Sequence, residues 1–120
     1  STGTIQAGNT LAVTLYWQVL VQPPSDYTVF IHVVNDRGEL IAQFDRPAGG
    51  NTLPTSKWQV GQVLRDSYPV LIPPETPAGT YSVWMGMYIW PSMERLPVSS
   101  DSEGVQDNSV DLGTLQILGR

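Results

Sequence analysis

His32 is the only histidine of the sequence, so general-base catalysis would have to be built around it. A hydrolytic triad would use Ser67 or Ser82 as the nucleophile and an aspartate to orient the imidazole. Neither serine stands in the Gly-x-Ser-x-Gly pattern of a nucleophile turn. His32 also falls in mid-strand, where a histidine is more often a packed or half-exposed residue. The sequence therefore predicts a protein that is not an enzyme.

The methionines raise the question of a copper site, because thioether and imidazole ligands together select Cu(I). Met85, Met87 and Met93 could join His32 in such a site. However, Met85 and Met87 share a strand face whose other residues are apolar, which is typical of core filling. We predict no metal and no cofactor from these residues.

An acidic loop, residues 99–111, carries carboxylates of the kind that bind Ca²⁺. Its acids are Asp101, Glu103, Asp107 and Asp111. Their spacing matches no regular calcium-binding loop, and acidic loops are more often simply solvated. Calcium binding by this loop stays open, with solvation the favoured interpretation.

Composition excludes several classes of function. Eleven acids against six bases give a net charge of -5, which leaves no basic stripe for phosphates or for anionic membrane surfaces. The absence of cysteine removes disulfides, thiolate catalysis and zinc sites of the cysteine type. No apolar run approaches the ~20 residues that cross a bilayer, since the uncharged stretch from Thr10 to Ser25 alternates. We predict neither nucleic-acid binding nor direct membrane insertion by this segment.

Alternation of apolar and polar residues with period two dominates the chain and indicates β-strands. Eleven Gly and ten Pro supply turn signals, and no amphipathic helix of useful length is indicated. We predict one domain, residues 1–120, folded as an all-β, antiparallel two-sheet sandwich of immunoglobulin-like type with seven or eight strands. The predicted strands are 10–21, 27–35, 39–45, 63–72, 80–90, 96–98 and 110–118.

The alternation also assigns a buried side to each strand. Five residues that share the aliphatic side of their strands are predicted to lie in the core: Trp17, Val29, Ile31, Val83 and Met85. Pro69 cannot donate to a β-ladder, so its strand should be an edge strand or contain a bulge.

If that side is the core, Trp84, Tyr88 and Trp90 form an aromatic stripe on the opposite face of strand 80–90, where solvated strands usually carry Thr, Lys or Glu. Immunoglobulin topology would put Phe30 and His32 beside the stripe. Exposed rings of this kind stack on sugars and equally well on protein surfaces. We therefore treat the stripe as the candidate ligand or partner surface.

Three interpretations of the stripe differ in what covers it. The long loop around Trp58 could fold over it and bury it, or Trp58 could itself belong to the binding surface. Alternatively, the rings contact another protein or domain, or they bind a glycan. Because Ser82 and Gly86 separate the rings and few amides stand nearby in sequence, we favour a protein contact over a glycan.

Several segments together resemble a bacterial extracytoplasmic sandwich domain. They are LYWQ from Leu15, DYTVFIHVVNDRGELIAQFD from Asp26, PTSKWQVGQVLRDSYPVLIP from Pro54, PAGTYSVWMGMY from Pro77 and ERLPV from Glu94. Domains that look like this stand at the C-terminal end of multi-pass membrane proteins, often glycosyltransferase-like, in Chloroflexi and cyanobacteria. The sequence departs from that pattern at Tyr88-Ile89-Trp90, where such domains commonly put an acidic residue after the tyrosine.

The resemblance implies an extracytoplasmic location in the cell envelope and a larger parent protein. A start at Ser1, without an initiator Met or a signal-peptide pattern, likewise suggests a fragment of a longer chain. No active residue carries over, because those domains have no assigned active residues. The predicted function is a non-catalytic accessory or interaction domain whose partners are other domains of the parent membrane protein, with a carbohydrate-binding module as the alternative.

Overall fold

The computed structural model describes residues 3–49, 53–99, 105–106 and 108–119. Its regular structure consists of β-strands and one short 3-10 helix, Thr55–Lys57, which confirms the all-β prediction. The strands are β1 (Gly3–Gln6), β2 (Thr10–Gln18), β3 (Thr28–Val34), β4 (Leu40–Pro47), β5 (Val63–Leu71), β6 (Gly79–Ile89), β7 (Glu94–Arg95), β8 (Val105–Gln106) and β9 (Ser109–Leu118).

The strands form a seven-stranded sheet and a two-stranded sheet. The larger sheet has the order β1-β9-β6-β3-β4, with β7 paired to β6 and β8 paired to β9, and the smaller sheet pairs β2 with β5. The strands pair mainly antiparallel, as predicted, but the larger sheet is mixed, because β1 at its edge runs parallel to β9. There the chain leaves β1, turns at Gly8 with φ of 93° and starts β2 in the other sheet.

The core lies between the two sheets. Val29, Ile31 and Val33 of β3 are completely buried, and Tyr68 and Val70 face them from β5. The predicted core residues occupy the expected side: Val83 is buried, and Trp17 and Met85 are half-buried against the same cluster. Alternation therefore assigned the faces of the long strands correctly.

The short strands depart from the prediction. The sequence GTIQ of β1 was not expected to be a strand, since Ile5 is its one large apolar residue. The short strand predicted at 96–98 lies instead at Glu94–Arg95, because Met93 takes a left-handed φ of 64° and reverses the chain directly after β6. The Leu96 amide still donates to the Met87 carbonyl at 2.9 Å.

A polar network joins the two sheets on the β4 and β5 side. The Asp66 carboxylate of β5 accepts hydrogen bonds from the Arg46 guanidinium of β4, from the Tyr68 hydroxyl and, at 2.8 Å, from the Gly49 amide. The Arg46 guanidinium also lies 4.5 Å from the centroid of the Tyr68 ring. Asp66 is 8% exposed, so its charge is balanced mainly by these protein donors rather than by solvent.

Candidate binding surface

The outer face of the larger sheet carries the aromatic residues singled out above. Cross-strand pairing places His32 opposite Trp84 and Phe30 opposite Gly86 on the neighbouring strands β3 and β6. Their side chains project away from the core because β3 alternates between the two faces, with Val29 and Ile31 inside. The predicted proximity of Phe30 and His32 to the aromatic stripe is confirmed.

Phe30 is the centre of a second, smaller cluster on this face. Its side chain is 2% exposed, although it does not belong to the main core. A Cβ atom at Gly86 would collide with the Phe30 ring and would lie 2.9 Å from the Asn108 carbonyl oxygen. Gly86 therefore lets the ring lie across β6, below the turn that precedes β9.

Three side chains surround the Phe30 ring. The His32 ring centroid is 4.6 Å away and the Tyr88 ring centroid is 6.3 Å away. The Arg95 guanidinium lies 4.5 Å from the Phe30 centroid, a cation–π distance. The β7 strand and the turn before β9 thus cover much of this face.

The interpretation in which the loop around Trp58 covers the aromatic stripe is wrong for the described residues of that loop. Trp58 is 4% exposed and packs inside the main core against Trp17, with a centroid separation of 6.0 Å. Its indole N–H donates to the Leu53 carbonyl at 2.9 Å. Trp58 is consequently inaccessible to a ligand. Its side chain lies in the core between the two sheets and holds the loop there, away from the outer face of the larger sheet.

The remaining predicted surface residues separate into different environments. Tyr88 is buried, and its hydroxyl donates to Asp45 Oδ2 at 2.8 Å. Trp84 is half-buried at the side of the cluster, whereas Trp90 is 71% exposed at the end of β6. The three rings therefore do not form the continuous exposed stripe that alternation predicted, because Arg95 and the Asn108 backbone cover its middle.

A groove of about 390 Å³ opens beside Trp84 on the same face. Its floor is aromatic, and its walls carry carboxylate, amide, hydroxyl and guanidinium groups. The residues that contribute the rings and these polar groups include Phe30, His32, Trp84, Asp36, Ser82, Arg95 and Gln106. Sequence reasoning missed these polar groups, because Asp36, Gln106 and Ser109 reach Trp84 through the fold and not through proximity in sequence.

One wall of the groove is held by a structured turn. Asn35 Oδ1 accepts hydrogen bonds from the Arg37 amide at 2.9 Å and from the Glu39 amide at 2.8 Å, and Gly38 takes a positive φ of 78°. This arrangement occupies the Asn35 side chain and fixes Asp36 at the rim. Asp36 is exposed, so its carboxylate faces solvent at the edge of the groove.

The imidazole of His32 is held in its neutral form at pH 7. Burial lowers the pKa of His32, Asp45 opposes this effect, and Arg95 lowers the pKa further. A neutral imidazole has one donor and one acceptor nitrogen, so His32 can offer both kinds of hydrogen bond.

The catalytic and copper interpretations are not supported by these positions. Ser67 lies on the smaller sheet, where its Oγ is 2.9 Å from Thr14 Oγ1, so it cannot pair with His32 on the outer face of the other sheet. Met85 and Met87 pack towards the core, on the opposite side of the sheet from His32. Ser82 does line the groove with His32, without any Gly-x-Ser-x-Gly turn around it.

Three of the four acidic residues considered for Ca²⁺ binding, Asp101, Glu103 and Asp107, lie outside the described residues. Asp111 is described, and its carboxylate accepts a hydrogen bond from the Gly113 amide at 2.8 Å. Within the described residues, no three His, Asp or Glu side chains converge on a point where an ion could bind.

Comparison with known proteins adds no relative. No family model, curated protein or solved structure matches this chain. Among the described residues, no helix has the length and apolarity required to span a bilayer.

Two buried tyrosines should make the domain less stable at high pH. Burial and the neighbouring Asp66 raise the pKa of Tyr68, while burial and Asp45 raise the pKa of Tyr88 to about 12. Since tyrosine in an unfolded chain titrates near pH ~10, the native state holds these protons more tightly. The contribution of these two tyrosines to the free energy of unfolding should be constant below about pH 10 and should fall as the pH rises above that value.

Urea unfolding over a range of alkaline pH values measures this dependence, with tyrosinate absorbance recorded in parallel. The Tyr88→Phe variant should show a smaller fall, because one of the two raised groups has been removed. A stability that does not change above about pH 10 would contradict the assigned environments.

Proposed function

We propose that this chain is a non-catalytic binding domain whose binding surface is the groove beside Trp84. The observation that carries the proposal is a half-buried tryptophan ring that lines a 390 Å³ groove together with hydrogen-bonding side chains. Ligand sites typically combine an apolar floor with a few convergent polar groups. Of the surfaces in the described part of the chain, this groove fits that description best.

The composition of the groove favours a glycan as the ligand. Sugar rings stack on aromatic faces through their C–H groups and use hydroxyls for hydrogen bonds with carboxylates, amides and guanidinium groups. Asp36, Gln106 and Arg95 offer such groups around Trp84. The sequence-based preference for a protein contact depended on a scarcity of amides near Trp84, and the presence of Gln106 in the groove weakens that preference.

A protein contact is the second candidate, and it is supported at a different place. Trp90 is 71% exposed and Met93 is 50% exposed in the turn between β6 and β7. Exposed tryptophan and methionine side chains are enriched in protein interfaces. We assign this turn, rather than the groove, to contact with another domain or protein.

The cellular context of the domain is also a proposal. The resemblance to domains at the end of multi-pass membrane proteins supports an extracytoplasmic accessory role in the cell envelope. The strand order supports an immunoglobulin-like arrangement, since β3, β6 and β9 are neighbours in one sheet and β2 pairs with β5 in the other.

A glycan array probed with the domain tests the binding function. We expect binding to at least one glycan, lost in Trp84→Ala and retained in Trp90→Ala. If Trp90→Ala still binds the glycan, the loss of binding in Trp84→Ala is specific to the groove and does not follow from removing any tryptophan. Urea unfolding of both variants shows that each is still folded.

Two results would overturn the assignment of the groove. An array without any bound glycan would remove the glycan as ligand. Equal binding by the wild type and by Trp84→Ala would move the site away from the groove. Association with a second protein that is lost in Trp90→Ala alone would instead support the protein contact.

A further inference from the structure

We propose that the free edge of β2 binds an extended, uncharged strand of a partner protein, which adds to the smaller sheet. The smaller sheet contains two strands, so β2 has one paired edge and one edge that no described residue occupies. This surface is separate from the groove beside Trp84, which lies on the outer face of the larger sheet.

The pairing with β5 shows which backbone groups of β2 point to the free edge. At one end of β2 the Asn9 carbonyl accepts from the Ile72 amide, and at the other end the Val19 amide donates to the Gln62 carbonyl. Odd-numbered residues of β2 therefore bond to β5, because bonding alternates along an antiparallel ladder. The amides and carbonyls of Ala12, Thr14 and the other even-numbered residues are directed to the free edge.

The position of Pro69 agrees with this assignment. Pro69 of β5 has no amide hydrogen and lies opposite Ala12, which is the place in the ladder where the pair exchanges no hydrogen bonds. The missing N–H of Pro69 is thus on the outer edge of β5. The outer edge of β5 is therefore protected against further pairing by a proline, a common device on edge strands.

The free edge of β2 has no such protection. Its nine residues, TLAVTLYWQ, contain no charge, proline or glycine and show no register shift against β5. Edge strands that must stay unpaired usually carry lysine, proline or a bulge. The contrast between the two edges of one small sheet indicates that the β2 edge is kept available for pairing.

An apolar cleft adjoins this edge and defines the chemistry of the added strand. The cleft measures about 260 Å³ and is lined by Leu11, Val13 and Leu15 of β2 and by Leu112 and Leu115 of β9. An added strand would direct every second side chain into it. Since the described lining carries no charge, the partner strand should be uncharged and should have apolar residues at alternate positions.

The available space favours a single strand over a second copy of the domain. Gly3 of β1 also lines the cleft, so the larger sheet continues past β2 on this side. A partner strand needs only the space directly beside β2, whereas the β2 strand of a second copy would bring its own larger sheet towards β1. Strand addition by a partner segment is a common form of recognition at such edges.

The test uses a synthetic peptide of nine alternating Val and Thr residues, with two lysines at each end for solubility, matched to the nine residues of β2. Addition of this peptide should slow amide exchange at Ala12, Thr14 and Tyr16, which are on the free edge. Ala12→Pro deletes one edge-facing donor and should weaken peptide binding by up to about tenfold. Ala12→Val keeps that donor, so its affinity for the peptide should stay closer to that of the wild type than the affinity of Ala12→Pro does.

Two N-methylated peptides keep the test decisive if Ala12→Pro does not fold. One is methylated at the odd positions and the other at the even positions, so that only one of them retains donors towards β2. The proposal requires one of the two peptides to bind and the other to fail.

Equal behaviour of the two methylated peptides would overturn strand addition. Slow exchange at Ala12 and Thr14 in the absence of peptide would also overturn it, because the edge would already be paired. A dimer in sedimentation experiments that is broken by Ala12→Pro would assign the edge to a second copy and reject a partner strand.

Discussion

Replacing Asp66 by alanine should lower the free energy of unfolding by about 3–5 kcal/mol, the largest effect expected for a single polar residue of this chain. The substitution leaves three donors without their acceptor: the Arg46 guanidinium, the Tyr68 hydroxyl and the Gly49 amide. Tyr68 is fully buried, and its ring also supports the guanidinium, so water does not replace the lost carboxylate easily. For a domain with a typical stability of about 5–15 kcal/mol, this loss is a large fraction of the total.

Chemical denaturation of matched variants measures this effect. The control is Glu39→Gln, which removes the exposed ion pair between Arg37 and Glu39, whose side chains are 78% and 60% exposed. Exposed pairs contribute about 0–1 kcal/mol, so this variant should be nearly as stable as the wild type. Asp66→Asn should fall between the two, because its amide keeps one oxygen acceptor and loses the charge. Equal destabilisation by Asp66→Ala and Glu39→Gln would show that the buried network does not hold the sheets together.

The long strands and their faces could be predicted from the sequence because one side of each strand must be apolar. Val29 and Ile31 alternate with Phe30 and His32, and the structure places the two pairs on opposite faces of β3. The aromatic character of the second face was also visible in the sequence. Its coverage was not, since the cover depends on where the turn at Met93 directs Arg95.

The parts that escaped prediction depend on contacts between residues that are distant in sequence. Asp66 resembles any other acid of the chain until the fold brings Arg46 and the Gly49 amide to it. Trp58 stands between loop residues and gives no periodic signal, although it packs against Trp17 in the core. The short strand β1 forms by parallel pairing with β9. Its four residues contain one large apolar side chain, so they show no alternation from which a strand could be predicted.

Replacing Phe30 by alanine should lower the free energy of unfolding by about 3–5 kcal/mol, even though the residue is outside the main core. Phe30 is 2% exposed, and Gly86 opposite it has no side chain that could fill the space left by the ring. The substitution also removes the surface on which the Arg95 guanidinium lies, so β7 loses its contact with β3. The outer cluster should therefore behave as a second core with its own contribution to stability.

Urea unfolding of Phe30→Ala is compared with that of Tyr16→Ala, which truncates an aromatic residue that is 69% exposed and should change the stability by less than about 0.5 kcal/mol.

Gly86→Ala probes the same packing from the other strand, since its Cβ would meet the Phe30 ring and the Asn108 carbonyl oxygen. Combining Phe30→Ala with Gly86→Ala separates a direct contact from two independent effects. If the ring and the glycine fit against each other, the added methyl group should cost less once the ring is gone, because only its contact with the Asn108 carbonyl oxygen remains. The double variant should then be more stable than the sum of the single losses predicts. Strictly additive losses of unfolding free energy would mean that Phe30 and Gly86 stabilise the domain independently. The position of the Phe30 ring beside the groove would then not depend on its contact with Gly86.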